Sequence, residues 1–367
     1  YKSEPCERII AIFTVMKELI ESQRSYFREG HTRPLVNRKK TLRKLHDLLL
    51  ANEEVLAEAI YKDYKKPLLV TVENELSLPY GEINVAIRKL RSWSKQQWYL
   101  TNLSNFPART RSFRLPYGVC LVIGPWNYPY MLSLIPAISA LAAGNTVVLK
   151  PSEITAHSSA ALARLINSNF PRELFYVQEG GVEETTDLLK EKFDKIFFTG
   201  SSRVGRIVMK AAAEQLTPLT LELGGKNPVI VLKDCNLNRT AQRLAWGMLH
   251  NNGNACVSPD HVYVHEDIKD ALIEKMRKHL HRTAPDPRNS PLLPRMVNEF
   301  HFDRVLGLID PSKVVEGGGS DRSDLFIEPT LMDQVTPEDA IMQEEVFGPV
   351  LPIPVSYTHL TLPTTDV

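Results

Sequence analysis

The residues that could do chemistry lie at three separated places. Cys256 sits in Asn251-Asn252-Gly253-Asn254-Ala255-Cys256-Val257-Ser258-Pro259-Asp260, small and amide-bearing residues that follow an apolar helix pattern. Glu222 opens Glu222-Leu223-Gly224-Gly225-Lys226, and Asn127 lies within Pro125-Trp126-Asn127-Tyr128-Pro129. A cysteine attacks as its thiolate, which a helix N-terminus or a nearby cation favours. A carboxylate at a strand end can take a proton from water. A side-chain amide can donate to an oxyanion as it develops. The three together offer a nucleophile, a base and an oxyanion donor.

Each residue also has a purely structural reading. A single cysteine more often packs than reacts. Glu222 could be a surface or salt-bridged carboxylate, and Asn127 could stabilise a tight turn. The surroundings favour chemistry: Asn252, Gly253 and Asn254 leave room beside the thiol, and paired glycines after a strand admit a ligand or backbone closely. Trp126, Tyr128 and Tyr130 pack in one reading and flank a substrate channel in the other.

Two further turns suit a nucleotide. Gly200-Ser201-Ser202-Arg203-Val204-Gly205 follows a strand and opens a helix, where a pyrophosphate can sit. It is not GxGxxG, and alone the pattern is weak. Lys150-Pro151-Ser152-Glu153 follows another strand, and its Lys and Glu could hold ribose hydroxyls. Ser152 and Ser201 are equally good helix caps, which is the plainer alternative for both.

These turns need elements to hold them. Residues 8 to about 101 read as mostly helical: one periodic helix over 36–61 and another over 70–98, with a break expected near Pro79-Tyr80-Gly81. Residues 102–116 alternate loosely and suggest an exposed β-ribbon. From Val119 strands and helices alternate: strands at 119–123, 146–150, 174–177, 195–198, 219–223, 229–232 and 261–265, and helices at 131–143, 156–169, 183–190, 203–213, 237–250 and 267–280. That rhythm predicts a parallel sheet covered by helices.

Composition narrows the function classes. A net charge of +1, from 44 basic and 43 acidic side chains, gives no case for nucleic acid or an anionic membrane as partner. The basic cluster Arg38-Lys39-Lys40, Arg43 and Lys44 reads as a solvated helix face. Cys6, Cys120, Cys235 and Cys256 lack zinc-ligand spacing, so no metal site is expected, and their scatter suits a reducing, cytoplasmic compartment. No apolar run is long enough to span a bilayer and no signal peptide is evident; Ile9–Val15, flanked by charges, reads as an amphipathic helix.

Taken in order, Pro125–Pro129, Lys150–Glu153, Phe198–Gly205, Glu222–Lys226, Cys256 and Glu344-Glu345-Val346-Phe347-Gly348-Pro349 resemble an aldehyde dehydrogenase, most of all the class 3 group with its fatty aldehyde dehydrogenases. The resemblance runs from about Leu19 to Val355. It implies an α/β fold: a Rossmann-like cofactor domain, an α/β catalytic domain and a small β-ribbon oligomerisation element. The expected domains are 1–221, carrying the N-terminal helices, the cofactor site and the ribbon segment 102–116, and 222–355 for catalysis. The resemblance further implies NAD or NADP as cofactor, a small-molecule aldehyde as substrate and a homodimeric parent. Cys256 would attack the carbonyl, Asn127 and the Cys256 N–H would hold the oxyanion, and Glu222 would activate water against the thioester. Lys150 and Glu153 match adenine-ribose contacts; Gly200, Ser201 and Gly205 match the pyrophosphate turn; Gly225 belongs to the cofactor-facing glycine pair; Glu345 and Phe347 match nicotinamide-ribose and nicotinamide contacts.

There are departures from the family pattern. Asn254-Ala255-Cys256 replaces the usual Gln-Thr-Cys, a mild change. Residues 356–367 match nothing expected where the family continues, so a shortened frame with a non-native tail is the expectation, with weak activity or aggregation as its consequence. The rival functional reading is a non-catalytic nucleotide-binding fragment. A cofactor-free thiol hydrolase is disfavoured by the two nucleotide-type turns, and a CoA-acylating relative by Glu222.

Overall fold

The computed structural model describes residues 4–356, and the side chains of residues 16–355. The Cys6 side chain and the residues from 357 onward, most of the expected non-native tail, lie outside the described residues. The chain divides into two compact units, one of residues 1–59 and 69–222, the other of residues 60–68 and 223–367.

The first unit begins with helices α1 (Glu4–Arg28) and α2 (Leu35–Ala51), then enters α3 (Glu53–Tyr64). The single helix expected over 36–61 is two, parted at Asn52, whose amide donates Nδ2–H to Leu48 O (2.8 Å) as its backbone leaves the helical region. α1 buries Met16, Leu19, Ile20 and Gln23, one stripe at helical spacing. The Gln23 amide donates to the carbonyls of Val147 (3.1 Å) and Arg172 (2.9 Å), which ties the helix to the sheet.

The expected long helix over 70–98 also differs. A short helix α4 (Leu68–Thr71) leads into a π-helical turn, Val72–Leu76, and then α5 (Ser77–Trp93). Pro79 does not end the helix: the backbone stays helical from Leu68 to Trp93, and the irregularity falls before the proline, in the π-helical turn. The ribbon is a hairpin of β1 (Gln97–Tyr99) and β2 (Thr110–Ser112), antiparallel, with Trp98 opposite Arg111. Its first strand lies before residue 102, outside the segment expected for it.

A five-stranded sheet follows. In chain order it contains β3 (Val119–Ile123), α6 (Met131–Ala143), β4 (Thr146–Lys150), α7 (Ala156–Asn167), β5 (Phe175–Val177), α8 (Val182–Lys190), β6 (Lys195–Gly200), α9 (Ser202–Glu214) and β7 (Leu219–Leu223), with strand order β5-β4-β3-β6-β7. β3 pairs in parallel with both β4 and β6. β3 and β4 are buried along their whole length, which is why they read as unbroken apolar runs. Gly144 ends α6 at φ 97°, a left-handed conformation that glycine adopts without strain.

The second unit holds β8 (Pro228–Val231), α10 (Leu237–Leu249), β9 (His261–His265), α11 (Lys269–Thr283) and α12 (Glu299–Leu306). Short strands follow: β10 (Val314–Glu316), β11 (Ser320–Asp321), β12 (Phe326–Ile327) and β13 (Thr330–Met332), then α13 (Ala340–Gln343), β14 (Val350–Pro352) and β15 (Val355–Ser356). β9 lies between β8 and β15, parallel to both. Ser356, expected to begin the unrelated tail, is thus still a strand residue, paired with His265. Val231, Leu244, Met248, Val262, Val264 and Met276 make part of the core between this sheet and its helices.

Candidate active site

In the first unit the chain fills the sheet outward from β3 to β4 and β5, then returns to β3's other side with β6 and β7. The direction reverses between β3 and β6. Open parallel sheets bind ligands outside the carboxyl ends of their strands at such a point. The residues chosen from sequence follow those strand ends: Asn127 after β3, Lys150 and Glu153 at and after β4, Gly200 and Ser201 at and after β6.

Asn127 is 4% exposed, in a turn that leads into α6. A methyl group on Gly124 would lie 2.0 Å from Ser133 Oγ, so only glycine lets the strand end approach the first turn of α6 this closely. The Lys150 side chain is buried, and its ammonium donates to Pro151 O (2.7 Å) and Glu153 Oε2 (3.4 Å). Burial lowers the Lys150 pKa, and Glu153 opposes that shift. Ser201 caps α9, accepting the Val204 N–H (3.4 Å), and Ser152 accepts the Ile154 N–H (3.2 Å), so both serines are caps as their residue type suggested. Gly205 lies inside α9, with its N–H bonded to Ser201 O (2.9 Å). Glu222 is exposed at the carboxyl end of β7.

The second unit holds Cys256 on a loop tied by side-chain hydrogen bonds. Beyond α10 the backbone passes through Asn251 (φ 49°), Asn252 (φ 54°) and Gly253 (φ 71°), all left-handed. Asparagine tolerates this region better than most residues. At Gly253 a Cβ would lie 2.1 Å from Gly348 O, so glycine brings this loop against the segment carrying Glu345 and Phe347. Asn251 and Asn254 exchange amide-to-carbonyl hydrogen bonds at 3.0 and 3.1 Å. Asn227 Nδ2 donates to the carbonyls of Cys256 (2.7 Å) and Ser258 (3.1 Å). Cys256 is half-buried, whereas Cys120 is buried and its thiol is pushed up to about 12 by burial, with Asp194 adding to the shift. A group that stays protonated is a poor nucleophile.

Around the loop runs a charged network that sequence reasoning missed. Lys226 pairs with buried Asp260 and donates to Ile341 O (2.9 Å) and Glu344 O (2.8 Å). Asp260 Oδ1 accepts the Val346 N–H (2.7 Å). Burial alone would raise the Asp260 pKa, but His261 3.8 Å away and the hydrogen bonds from Lys226 and the Val346 N–H bring it below the usual range. Arg304 on α12 donates to Glu345 O (3.1 Å) and Val346 O (2.7 Å). Lys226 ends the Glu222–Lys226 motif and Asp260 the Cys256 stretch, but nothing in the sequence links them to each other or to Arg304.

This network fixes Glu345. Its carboxylate lies on Gly224, where a Cβ would be 2.0 Å from Oε2. Burial raises the Glu345 pKa, opposed by the Gly225 N–H that donates to it. Its Oε1 is buried with no hydrogen-bond partner among the described residues. An acceptor held without a donor fits a ribose hydroxyl, so these residues suit the nicotinamide end of a dinucleotide. Phe347 is held at φ 46°, a strained conformation for an aromatic residue. Among the described residues no group of three or more His, Cys, Asp or Glu is placed to hold a metal, and no helix is long and apolar enough to cross a membrane.

A parallel sheet with nucleotide-type turns at its reversal point, and an α/β unit whose thiol-bearing loop packs on the segment that carries a ribose-type carboxylate, fit a dinucleotide-dependent oxidoreductase. The aldehyde dehydrogenase family model matches residues 14–358, slightly beyond the span expected from sequence. The chain is 42% identical to mouse aldehyde dehydrogenase family 3 member B2 over 91% of its length and 70% of that protein. It is 40% identical to the mouse dimeric NADP-preferring aldehyde dehydrogenase over 92% of its length and 75% of that protein. Among solved structures, substrate-bound Staphylococcus aureus AldH superposes with a TM-score of 0.91 at 39% identity, covering 93% of this chain and 75% of that one. The chain belongs to the aldehyde dehydrogenase family. It is an NAD(P)-dependent oxidoreductase of that family, which oxidises aldehydes to carboxylic acids.

Proposed function

We propose that Cys256 is the nucleophile, Asn127 and the Cys256 N–H the oxyanion donors, and Glu222 the base for hydrolysis. The observation that carries this reading is the Cys256 loop: a half-buried thiol on a backbone held by Asn227 and by the Asn251–Asn254 pair. Cys256 Sγ adds to the carbonyl carbon, and the oxygen takes the charge that the Asn127 amide stabilises. When bound, the nicotinamide supplies the acceptor for the hydride that leaves this adduct, and a thioester on Cys256 remains. Glu222 takes a proton from water, the water oxygen adds to the acyl carbon, and the carboxylic acid leaves as the thiolate returns.

Lys150 and Glu153 hold the adenine ribose, Gly200, Ser201 and Gly205 form the pyrophosphate turn, and Gly225, Glu345 and Phe347 serve the nicotinamide end. The domain reading is a cofactor domain over 1–221 and a catalytic domain over 222–355, in a cytoplasmic protein. The hairpin exposes Trp98, Tyr99, Phe106 and Phe113, an apolar surface that suits a second copy of the chain and so a homodimer. Replacing Cys256 by Ala tests the chemistry. Reduced cofactor should no longer form from any aldehyde, while cofactor binding persists; sustained turnover in that variant contradicts the reading.

A further inference from the structure

We propose that Glu75 is a positioning residue for Asn127; the proposal rests on the reading of Asn127 as an oxyanion donor. Glu75 lies in the π-helical turn Val72–Leu76 and is fully buried. Its Oε2 accepts the backbone N–H groups of Tyr130 and Met131, each at 3.1 Å. These are the cap and first residue of α6, and the Tyr130 side chain provides no cap of its own. A carboxylate from 55 residues earlier therefore satisfies the start of this helix, where negative charge is favoured.

What the carboxylate holds is the end of the Asn127 turn. Only Tyr128 and Pro129 separate Asn127 from Tyr130. Leu132 N–H bonds back to Tyr128 O (3.1 Å), and the Tyr130 hydroxyl donates to Leu56 O (2.9 Å). The turn is thus fixed at its helix end by Glu75 and at its strand end by the Gly124–Ser133 approach. π-Turns inside helices often occur at functional sites, and here one places a buried carboxyl group against the helix end of the turn that carries a site residue. An oxyanion donor works only at the right position, and a shift of about 1 Å can cost on the order of 10²-fold in rate.

The test is a double-mutant cycle on the hydride-transfer rate, with thermal melting and cofactor affinity measured alongside. Asn127→Ala is combined with Glu75→Ala and with Glu75→Gln, which keeps the shape and an acceptor oxygen. The proposal expects Glu75→Ala to slow hydride transfer by roughly 10–100-fold, Glu75→Gln to slow it less, and NAD affinity to hold. In the Asn127→Ala background neither Glu75 variant should slow the reaction further. If Asn127→Ala slows the reaction but the Glu75 effects multiply with it, or Glu75→Gln changes stability alone, Glu75 is structural and the proposal is wrong. If Asn127→Ala by itself leaves the rate unchanged, the oxyanion reading fails and the positioning role with it.

Discussion

Asn227 donates its side-chain amide to the carbonyl oxygen of Cys256 at 2.7 Å, and to that of Ser258 at 3.1 Å. Asn227, just before β8, thereby fixes the backbone that carries Cys256. Both carbonyls would otherwise need another donor in a partly buried loop.

Asn227→Ala should therefore destabilise the protein by about 1–3 kcal/mol, through two lost hydrogen bonds. It should also slow turnover, because the thiol is no longer held in place. Thermal melting and turnover number check this. An unchanged turnover in the stable fraction would mean that the Asn251–Asn254 pair holds the loop alone.

Val119–Ile123 and Thr146–Lys150 were legible because they are buried along their whole length and bounded by turn residues, so they read as apolar runs; Leu219–Leu223 and His261–His265, less buried, fall where the strand–helix rhythm put them. Gly144 marked the end of α6 by a rule that depends only on its missing side chain. The family motifs named Cys256, Glu222 and Asn127. What supports these residues was hidden, because the partners are distant in sequence. Glu75 meets Tyr130, Lys226 meets Glu344 O, and Arg304 meets Val346 O. β1 was missed because Gln97 and Trp98 fell at the end of the run read as a helix over 70–98. The left-handed Asn251 and Asn252 look in sequence like any amide-rich loop.

Glu222→Gln should leave the first burst of reduced cofactor near its full size and lower steady turnover. An amide cannot take the proton from water, whereas the thiol addition does not need it. Rapid-mixing absorbance of the reduced nicotinamide separates the phases. Equal loss of both would assign Glu222 a structural role.

Glu153→Gln should weaken NAD more than NADP. Glu153 is half-exposed beside the buried Lys150 ammonium, and its charge suits a free ribose hydroxyl while repelling a phosphate there. Titration with each cofactor gives the ratio. Equal weakening of both would reduce Glu153 to a partner of Lys150.

His301 predicts a pH effect on stability. Burial, with Arg304 nearby, lowers its pKa from 6.5 to about 4. Protonation then favours the unfolded chain, so this contribution is fully present above about pH 6.5 and is lost as pH falls toward 4. Glu345, whose pKa is raised, acts in the opposite sense, its contribution being lost as pH rises through its folded value. The difference between the protein and His301→Gln isolates the histidine: the gap in melting temperature should narrow as pH drops through that window. A gap that stays constant with pH contradicts it.

The central claim is that aldehyde oxidation passes through a thioester on Cys256. In the Glu222→Gln variant, where hydrolysis should be slow, a medium-chain aldehyde and NAD are mixed and quenched in acid, and the peptides are weighed. The account predicts an acyl group on the Cys256 peptide, dependent on both aldehyde and cofactor and absent after Cys256→Ala. Reduced cofactor formed with no acyl group on Cys256, or with the acyl group on Cys120 or Cys235, would contradict it.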